Sequence, residues 1–174
     1  LVDFNKTIAI YNEEKQNAAL HKEELVGAFH QAIKEEQFKL YFQPKYSIKG
    51  DKPKFTSAEV LIRWISPKFG FVSPGDFIPL FEHNGLIEEL DKFVLKSVSA
   101  ILVDLKSEFR EKTPNISVNL SRIDFYCPLI EKKIIELLDD QKIEHELVNI
   151  EITESAYTKN GQQLIQKIAE LRKK

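Results

Sequence analysis

Strand-like and helix-like segments alternate along most of this chain of 174 residues. Apolar residues recur every three or four positions in the helix-like segments, while short runs rich in β-branched and aromatic residues lie between them. Strands that alternate with helices are typical of βαβ units around a parallel sheet. The sequence therefore predicts an α/β fold. We expect strands at residues 38–44, 58–64, 115–120 and 147–153, and helices at residues 5–36, 76–84, 88–105, 129–139 and 164–171.

The first two expected strands have no helix between them. Pro44 is expected to end the first strand, because proline lacks the N–H that a strand ladder uses. Residues 47–55 then form a polar turn region that contains Gly50 and Pro53. This short connection predicts an antiparallel hairpin ahead of the parallel part of the sheet.

The expected strand at residues 58–64 carries two charged residues, Glu59 and Arg63, among apolar ones. A strand covered on both faces is nearly all apolar, and a buried charge needs a partner, a metal or a ligand. Glu59 taken alone also fits a solvent-facing residue of an edge strand. Both interpretations stay open on this strand by itself.

Two later strands share the same feature, since Asn119 and Glu151 also lie in apolar strands. In an α/β barrel, functional residues lie at the C-terminal ends of the strands, so these oxygen-bearing side chains and Glu59 are candidates for one site. Two carboxylates and an amide suit Mg²⁺ or Mn²⁺ rather than Zn²⁺. Alternatively, Asn119 bonds a loop backbone, and Glu151 with Glu154 forms the polar face of an alternating strand.

Composition excludes several classes of protein. The net charge of −2 gives no reason to expect DNA binding, and no apolar run is long enough to span a membrane. The single cysteine, Cys127, excludes an internal disulfide and is compatible with a reducing compartment, so we expect a cytoplasmic location. The four histidines are interpreted as surface residues.

Six short blocks of the sequence carry a further signal: LYFQPK (residues 40–45), AEVLIRW (58–64), SPGDFIP (73–79), GLI (85–87), SVNLS (117–121) and EITES (151–155). Together these blocks resemble the EAL domain, a family of cyclic di-GMP phosphodiesterases. They follow the family order from about Ala28 to the end of the chain, which makes the resemblance specific.

The resemblance implies a TIM-type (β/α) barrel whose first strand is antiparallel. We expect this chain to supply about the first half of such a barrel at residues 28–174, after a connecting helix at residues 1–27. The connecting helix also resembles the segment that follows a GGDEF domain in tandem proteins. An incomplete barrel leaves a sheet uncovered, so we further expect a homodimer.

The resemblance also implies roles for individual residues. Glu59, Asn119 and Glu151 would ligate catalytic Mg²⁺ or Mn²⁺, and Glu154 would stabilise the neighbouring active-site loop. Gln43 and Arg63 would contact cyclic di-GMP, which the enzyme hydrolyses to the linear dinucleotide. A guanidinium is well suited to bind a phosphate.

Two features depart from the family pattern. Val60 stands where the family has alanine, which adds bulk but keeps the carboxylate before it. The chain ends at Lys174, before the residues that complete the family's metal site. We therefore expect little hydrolysis by this chain alone. A non-catalytic cyclic di-GMP receptor and a dimerisation scaffold are the alternative functions.

Overall fold

The computed structural model describes residues 13–121 and 130–152. The described strands are β1 (Phe38–Ser47), β2 (Lys54–Ser66), β3 (Gly70–Val72), β4 (Asn115–Leu120) and β5 (Val148–Ile152). The described helices are α1 (Glu13–Lys34), α2 (Pro74–Asn84), α3 (Ile87–Phe109) and α4 (Ile130–Asp140), with short 3₁₀ turns at Arg110–Lys112 and His145–Leu147. The expected helix at residues 164–171 and Glu154 lie outside the described residues.

A single mixed sheet connects these strands in the order β1-β2-β4-β5, with β3 paired to β2. β1 is antiparallel to β2, whereas β2 and β4, and then β4 and β5, are parallel. Within the described residues the sheet is open, with β1 and β5 at its edges. The predicted α/β fold, with an antiparallel first strand and an incomplete barrel, is confirmed.

β1 is longer than the sequence predicts, because it continues through Pro44 to Ser47. Pro44 is paired with Ala58, and the register shifts only between Lys45 and Tyr46. An edge strand tolerates proline since one side of its backbone has no strand to bond. The expectation that Pro44 ends the strand is wrong, and β3 lies where the sequence analysis predicts neither a strand nor a helix.

Two apolar clusters hold the helices against one face of the sheet. The first is aromatic and joins α1 and α2 to the hairpin through Phe29, Phe38, Trp64, Phe77 and Phe81. Nε1 of Trp64 donates a hydrogen bond to Oε1 of Gln37 at 3.0 Å, which satisfies the polar atom of this buried ring. The second cluster packs α3 and α4 on β2 and β4.

α2 has a capping residue at each end. Ser73 is the N-cap, and its side chain accepts a hydrogen bond from the backbone N–H of Gly75 at 3.2 Å. Gly85 ends the helix with φ of 72°, a conformation that glycine adopts at no steric cost. These caps fix where α2 lies beside the ends of β2 and β4.

α1 is one continuous helix across the predicted boundary between residues 27 and 28. Its residues 13–24 are exposed, whereas Leu25, Phe29 and Ala32 are buried in the aromatic cluster. The division into a connecting helix at residues 1–27 and a barrel portion at residues 28–174 stays a prediction. Of the helices that the structure describes, none combines the length and apolar character that crossing a membrane requires.

Candidate functional site

One face of the sheet carries polar residues from four strands, β1, β2, β4 and β5. These residues occupy alternating positions along their strands, so their side chains point to the same side. Gln43 is directly opposite Glu59, and Glu59 is in register with Ser117 of β4. Asn119, two residues after Ser117, is in register with Glu151 of β5. Side chains two positions apart on a strand share a face, so all these residues lie on one side of the sheet. The opposite face carries the buried apolar residues of β2 and β4.

The three predicted metal ligands lie close together on this polar face. Nδ2 of Asn119 donates a hydrogen bond to Oε1 of Glu59 at 2.8 Å. Nζ of Lys45 lies 3.2 Å from Oε2 of Glu59 and also donates a hydrogen bond to Oε1 of Glu151. The two carboxylates are therefore close enough to contact a single cation.

Charges within this cluster shift the pKa of two groups. The hydrogen bond from Lys45 lowers the pKa of the Glu151 carboxyl from its ordinary value, and a hydrogen bond from Ser117 acts in the same direction. The hydrogen bond to Glu151, and then that to Glu59, raises the pKa of the Lys45 ammonium. Both shifts favour the charged forms, so the contact between Lys45 and Glu151 pairs an ammonium with a carboxylate near neutral pH.

The donor set suits a divalent cation that prefers oxygen. In the part of the chain that the structure describes, no group of three or more His, Cys, Asp and Glu residues is arranged to hold a metal. The candidate set instead combines two carboxylates with an amide, on three adjacent strands. For Asn119 to ligate a metal through its oxygen, its amide must turn away from the hydrogen bond to Glu59.

Arg63 lies apart from these ligands. It points to the same face of β2 as Glu59, four residues further along, which is about 13 Å at strand spacing. Arg63, Leu61 and Asn119 line a cavity of about 460 Å³ with Pro79 and Ile78 of α2. Gln43 is close to Glu59 by register, whereas Arg63 belongs to this neighbouring cavity.

A second cluster of polar residues holds the end of β4 beside the same cavity. The backbone N–H of Ser121 donates to Oδ2 of Asp91 at 3.0 Å, and its hydroxyl donates to Oε1 of Glu82 at 2.7 Å. Asp91 is buried on α3, and Glu82 comes from α2. Both helices are thus tied to the residue that follows the Asn119 strand.

Lys45 is the main site residue that the sequence analysis missed. The sequence predicts that β1 ends at Pro44, which places Lys45 beyond the strand. The signal was nevertheless present, since Lys45 follows Gln43 by two positions and a continuing strand places both on one face. The contacts of Ser121 with Asp91 and Glu82 left no comparable signal, because they join residues far apart in sequence.

The chain is similar in sequence and in structure to several known proteins. The family described as "EAL domain" matches residues 26–174. A cyclic di-GMP phosphodiesterase of Pseudomonas aeruginosa is 30% identical over 154 residues, which cover 88% of this chain and 26% of that protein. The phosphodiesterase PaMucR in complex with cyclic di-GMP superimposes with a TM-score of 0.74 at 26% identity, over 85% of this chain and 60% of that one.

The EAL domain of FimX from Pseudomonas aeruginosa, bound to cyclic di-GMP, is also similar. It gives a TM-score of 0.69 at 26% identity, over 84% of this chain and 58% of that one. The chain spans about a fifth of the length of the curated relatives that it matches. In three of them the matched region makes up 22%, 19% and 19% of the protein. Those relatives carry a large amount of sequence outside the shared region.

Proposed function

The chain belongs to the EAL domain family, and from this membership we propose that it is part of a metal-dependent phosphodiesterase that hydrolyses cyclic di-GMP to the linear dinucleotide. The convergence of Glu59, Asn119 and Glu151 on one face of the sheet is the observation that supports this proposal most strongly. The names of similar proteins, which include cyclic di-GMP phosphodiesterases, point in the same direction.

Glu59, Asn119 and Glu151 are the residues we propose to hold Mg²⁺ or Mn²⁺. A bound divalent ion of this kind would lower the pKa of a water molecule and stabilise negative charge on phosphate oxygens. The protein's own contribution is to keep two carboxylates and an amide oxygen on adjacent, rigidly paired strands. Strands position such groups more closely than loops do, because each is fixed by its ladder of backbone hydrogen bonds.

The substrate would lie along the polar face and enter the cavity beside it. We propose that Arg63 binds a phosphate of cyclic di-GMP, since its guanidinium offers several donors in a fixed plane. The apolar lining by Leu61, Ile78 and Pro79 suits the flat face of a base. Gln43, opposite Glu59, offers both a donor and an acceptor to the sugar or phosphate between these two ends. Glu154, outside the described residues, is proposed to stabilise the loop after β5.

Efficient hydrolysis is proposed to require the sequence that closes the barrel. The described sheet has two open edges. The chain also matches only 60% of the length of the PaMucR structure. An active site at the centre of a barrel draws its residues from many strands. The 174-residue chain is thus expected to hold only part of the catalytic group.

The test compares this chain with the complete gene product that contains it. Each is incubated with cyclic di-GMP and Mg²⁺ or Mn²⁺, and linear dinucleotide is measured by chromatography. The complete product should release linear dinucleotide, while the 174-residue chain should do so at least a hundredfold more slowly. Absence of turnover by the complete product with either metal would refute the phosphodiesterase proposal.

Glu59→Gln in the complete product tests the proposed metal ligand. The substitution keeps the size of the side chain but removes its charge, so turnover should fall by a factor of roughly a thousand. Glu108→Gln, an exposed substitution on α3, is the matched control and should leave turnover unchanged. Full activity of Glu59→Gln would exclude Glu59 as a metal ligand.

Binding without turnover is the second candidate function. Its support is the ammonium of Lys45, which already contacts Glu59 and Glu151 and neutralises part of their charge. A receptor for cyclic di-GMP needs the cavity and Arg63 but no metal. Tight binding by the complete product, measured by calorimetry together with an absence of linear product, would favour this receptor function.

A further inference from the structure

Lys45 reaches across the polar face of the sheet rather than along its own strand. It lies on β1, and Glu151 lies on β5, three strand positions away in the sheet order. Lys45 is in register with Ser57 and through it with Asn115, whereas Glu151 is in register with Asn119, four residues further along. Three spacings between strands and four residues along a strand separate the two Cα atoms by roughly 19 Å on a flat sheet, which is more than the two side chains and a hydrogen bond can span. The contact therefore requires the sheet to curve, so that β1 and β5 approach each other across its concave face.

The ammonium of Lys45 contacts both carboxylates that are proposed as metal ligands. Its Nζ is within 3.2 Å of Oε2 of Glu59 and donates to Oε1 of Glu151. These carboxylates come from β2 and β5 and are two of the three proposed ligands. A single positive group thus lies where a divalent cation would meet both acidic residues.

We propose that Lys45 is an internal counter-ion of the metal site, which holds Glu59 and Glu151 together without metal and which a divalent cation must displace. This inference rests on the proposed function, since it takes the same two carboxylates as metal ligands. Lys45 is a positioning residue in this proposal, because it acts through the ligands and not on the substrate.

Two physical effects follow from this arrangement. An ammonium and a divalent cation repel each other strongly at contact distance, so an ion that binds must first move Lys45 away from the carboxylates. The same ammonium stabilises the metal-free site, because two carboxylates that share one small region repel each other without it. Lys45 thus lowers metal affinity and stabilises the metal-free fold at once.

Lys45→Met separates these effects from the chemistry of hydrolysis. Methionine is close to lysine in length and keeps the apolar stem, but it carries no charge. Lys39→Met is the matched control, because Lys39 is an exposed lysine on the same face of β1. Binding of Mn²⁺ is titrated on the 174-residue chain by the loss of the electron paramagnetic resonance signal of free Mn²⁺. Thermal unfolding is followed by circular dichroism with and without MnCl₂.

Lys45→Met should bind Mn²⁺ at least tenfold more tightly than the unaltered chain, and Lys39→Met should bind it equally well. Without metal, the unfolding midpoint of Lys45→Met should fall, and MnCl₂ should raise that midpoint more than it does in the unaltered chain. Lys45→Gln retains a polar side chain and should behave in the same way as Lys45→Met. It replaces Lys45→Met in the experiment if Lys45→Met does not fold.

Equal or weaker Mn²⁺ binding by the Lys45 variants would overturn the proposal, because the ammonium would then not compete with the ion. If the unaltered chain binds Mn²⁺ and the variants match it, only the role of Lys45 fails. If neither the unaltered chain nor any variant binds Mn²⁺, then Glu59, Asn119 and Glu151 do not bind the ion by themselves, and the counter-ion role is overturned. The phosphodiesterase proposal is decided separately, by the turnover of the complete gene product, so the two failures are distinguishable.

Discussion

At the scale of single residues, Asp91 links the structure of the core to the geometry of the site. Its buried carboxylate accepts the backbone N–H of Ser121, which follows the strand that carries Asn119. Asp91→Ala should lower the free energy of unfolding by about 1–3 kcal/mol, because it removes a buried carboxylate that accepts the N–H of the half-buried Ser121. Chemical denaturation in urea, followed by tryptophan fluorescence of Trp64, measures this loss.

Asp104→Ala is the control for this substitution. Asp104 is an exposed residue of the same helix, so its replacement should change the free energy of unfolding by less than about 0.5 kcal/mol. If Asp91→Ala is as stable as Asp104→Ala, the hydrogen bond to Ser121 does not hold the end of β4.

The proposed ligands could be recognised in the sequence because each lies in an otherwise apolar strand. Parallel neighbours place such residues at one edge of a sheet, so the proximity of Asn119 and Glu151 follows from pairing alone. The contact of Lys45 with Glu151 did not follow, since β5 is three strand positions away from β1 and the curvature of the sheet decides this contact. Curvature depends on how all the strands twist together, which no local pattern encodes.

At the scale of elements, α1 is attached to the rest of the fold by a short stretch of buried residues. Phe29 is fully buried and packs edge-to-face on Phe81 with ring centroids 4.8 Å apart. Phe29→Ala should lower the free energy of unfolding by about 3–5 kcal/mol, because it removes a large apolar group and leaves a cavity. Urea denaturation measures the effect.

Leu20→Ala on the same helix is the matched control, because Leu20 is 51% exposed. It should change the free energy of unfolding by less than about 0.5 kcal/mol. A similar loss in both variants would mean that residues before Leu25 also pack on the barrel portion, which would contradict the proposed division of the chain.

The order and type of the elements could be predicted well, because helical and strand periodicity differ clearly. The antiparallel hairpin followed from the short polar connection between β1 and β2, and Gly85 indicated the end of α2. The start of α2 was predicted two residues late, at residue 76, because its N-cap Ser73 was not identified. The three-residue strand β3 was missed, since a segment of that length shows no periodicity. Its pairing with β2 depends on the tertiary fold.

At the scale of the whole molecule, the described sheet has one covered face and one face that carries the proposed site. Helices α1 to α4 pack on the covered face, and the edges at β1 and β5 stay open within residues 13–121 and 130–152. Open edges and exposed apolar residues favour association with another chain. Tyr41, at 56% exposed, lies on the concave face of the edge strand β1 beside the proposed site.

We expect the 174-residue chain to form a homodimer at micromolar concentration through this open part of the sheet. A stable dimer buries roughly 800 Å² on each partner, which requires a continuous surface such as the β1 edge and its concave face.

Tyr41→Lys should shift the chain toward the monomer, since a lysine on an edge strand opposes pairing. Ile48→Lys is the control, because Ile48 is 84% exposed after the end of β1, and it should leave the dimer intact. Sedimentation velocity measures both masses, and a monomeric mass for the unaltered chain would contradict the expected dimer.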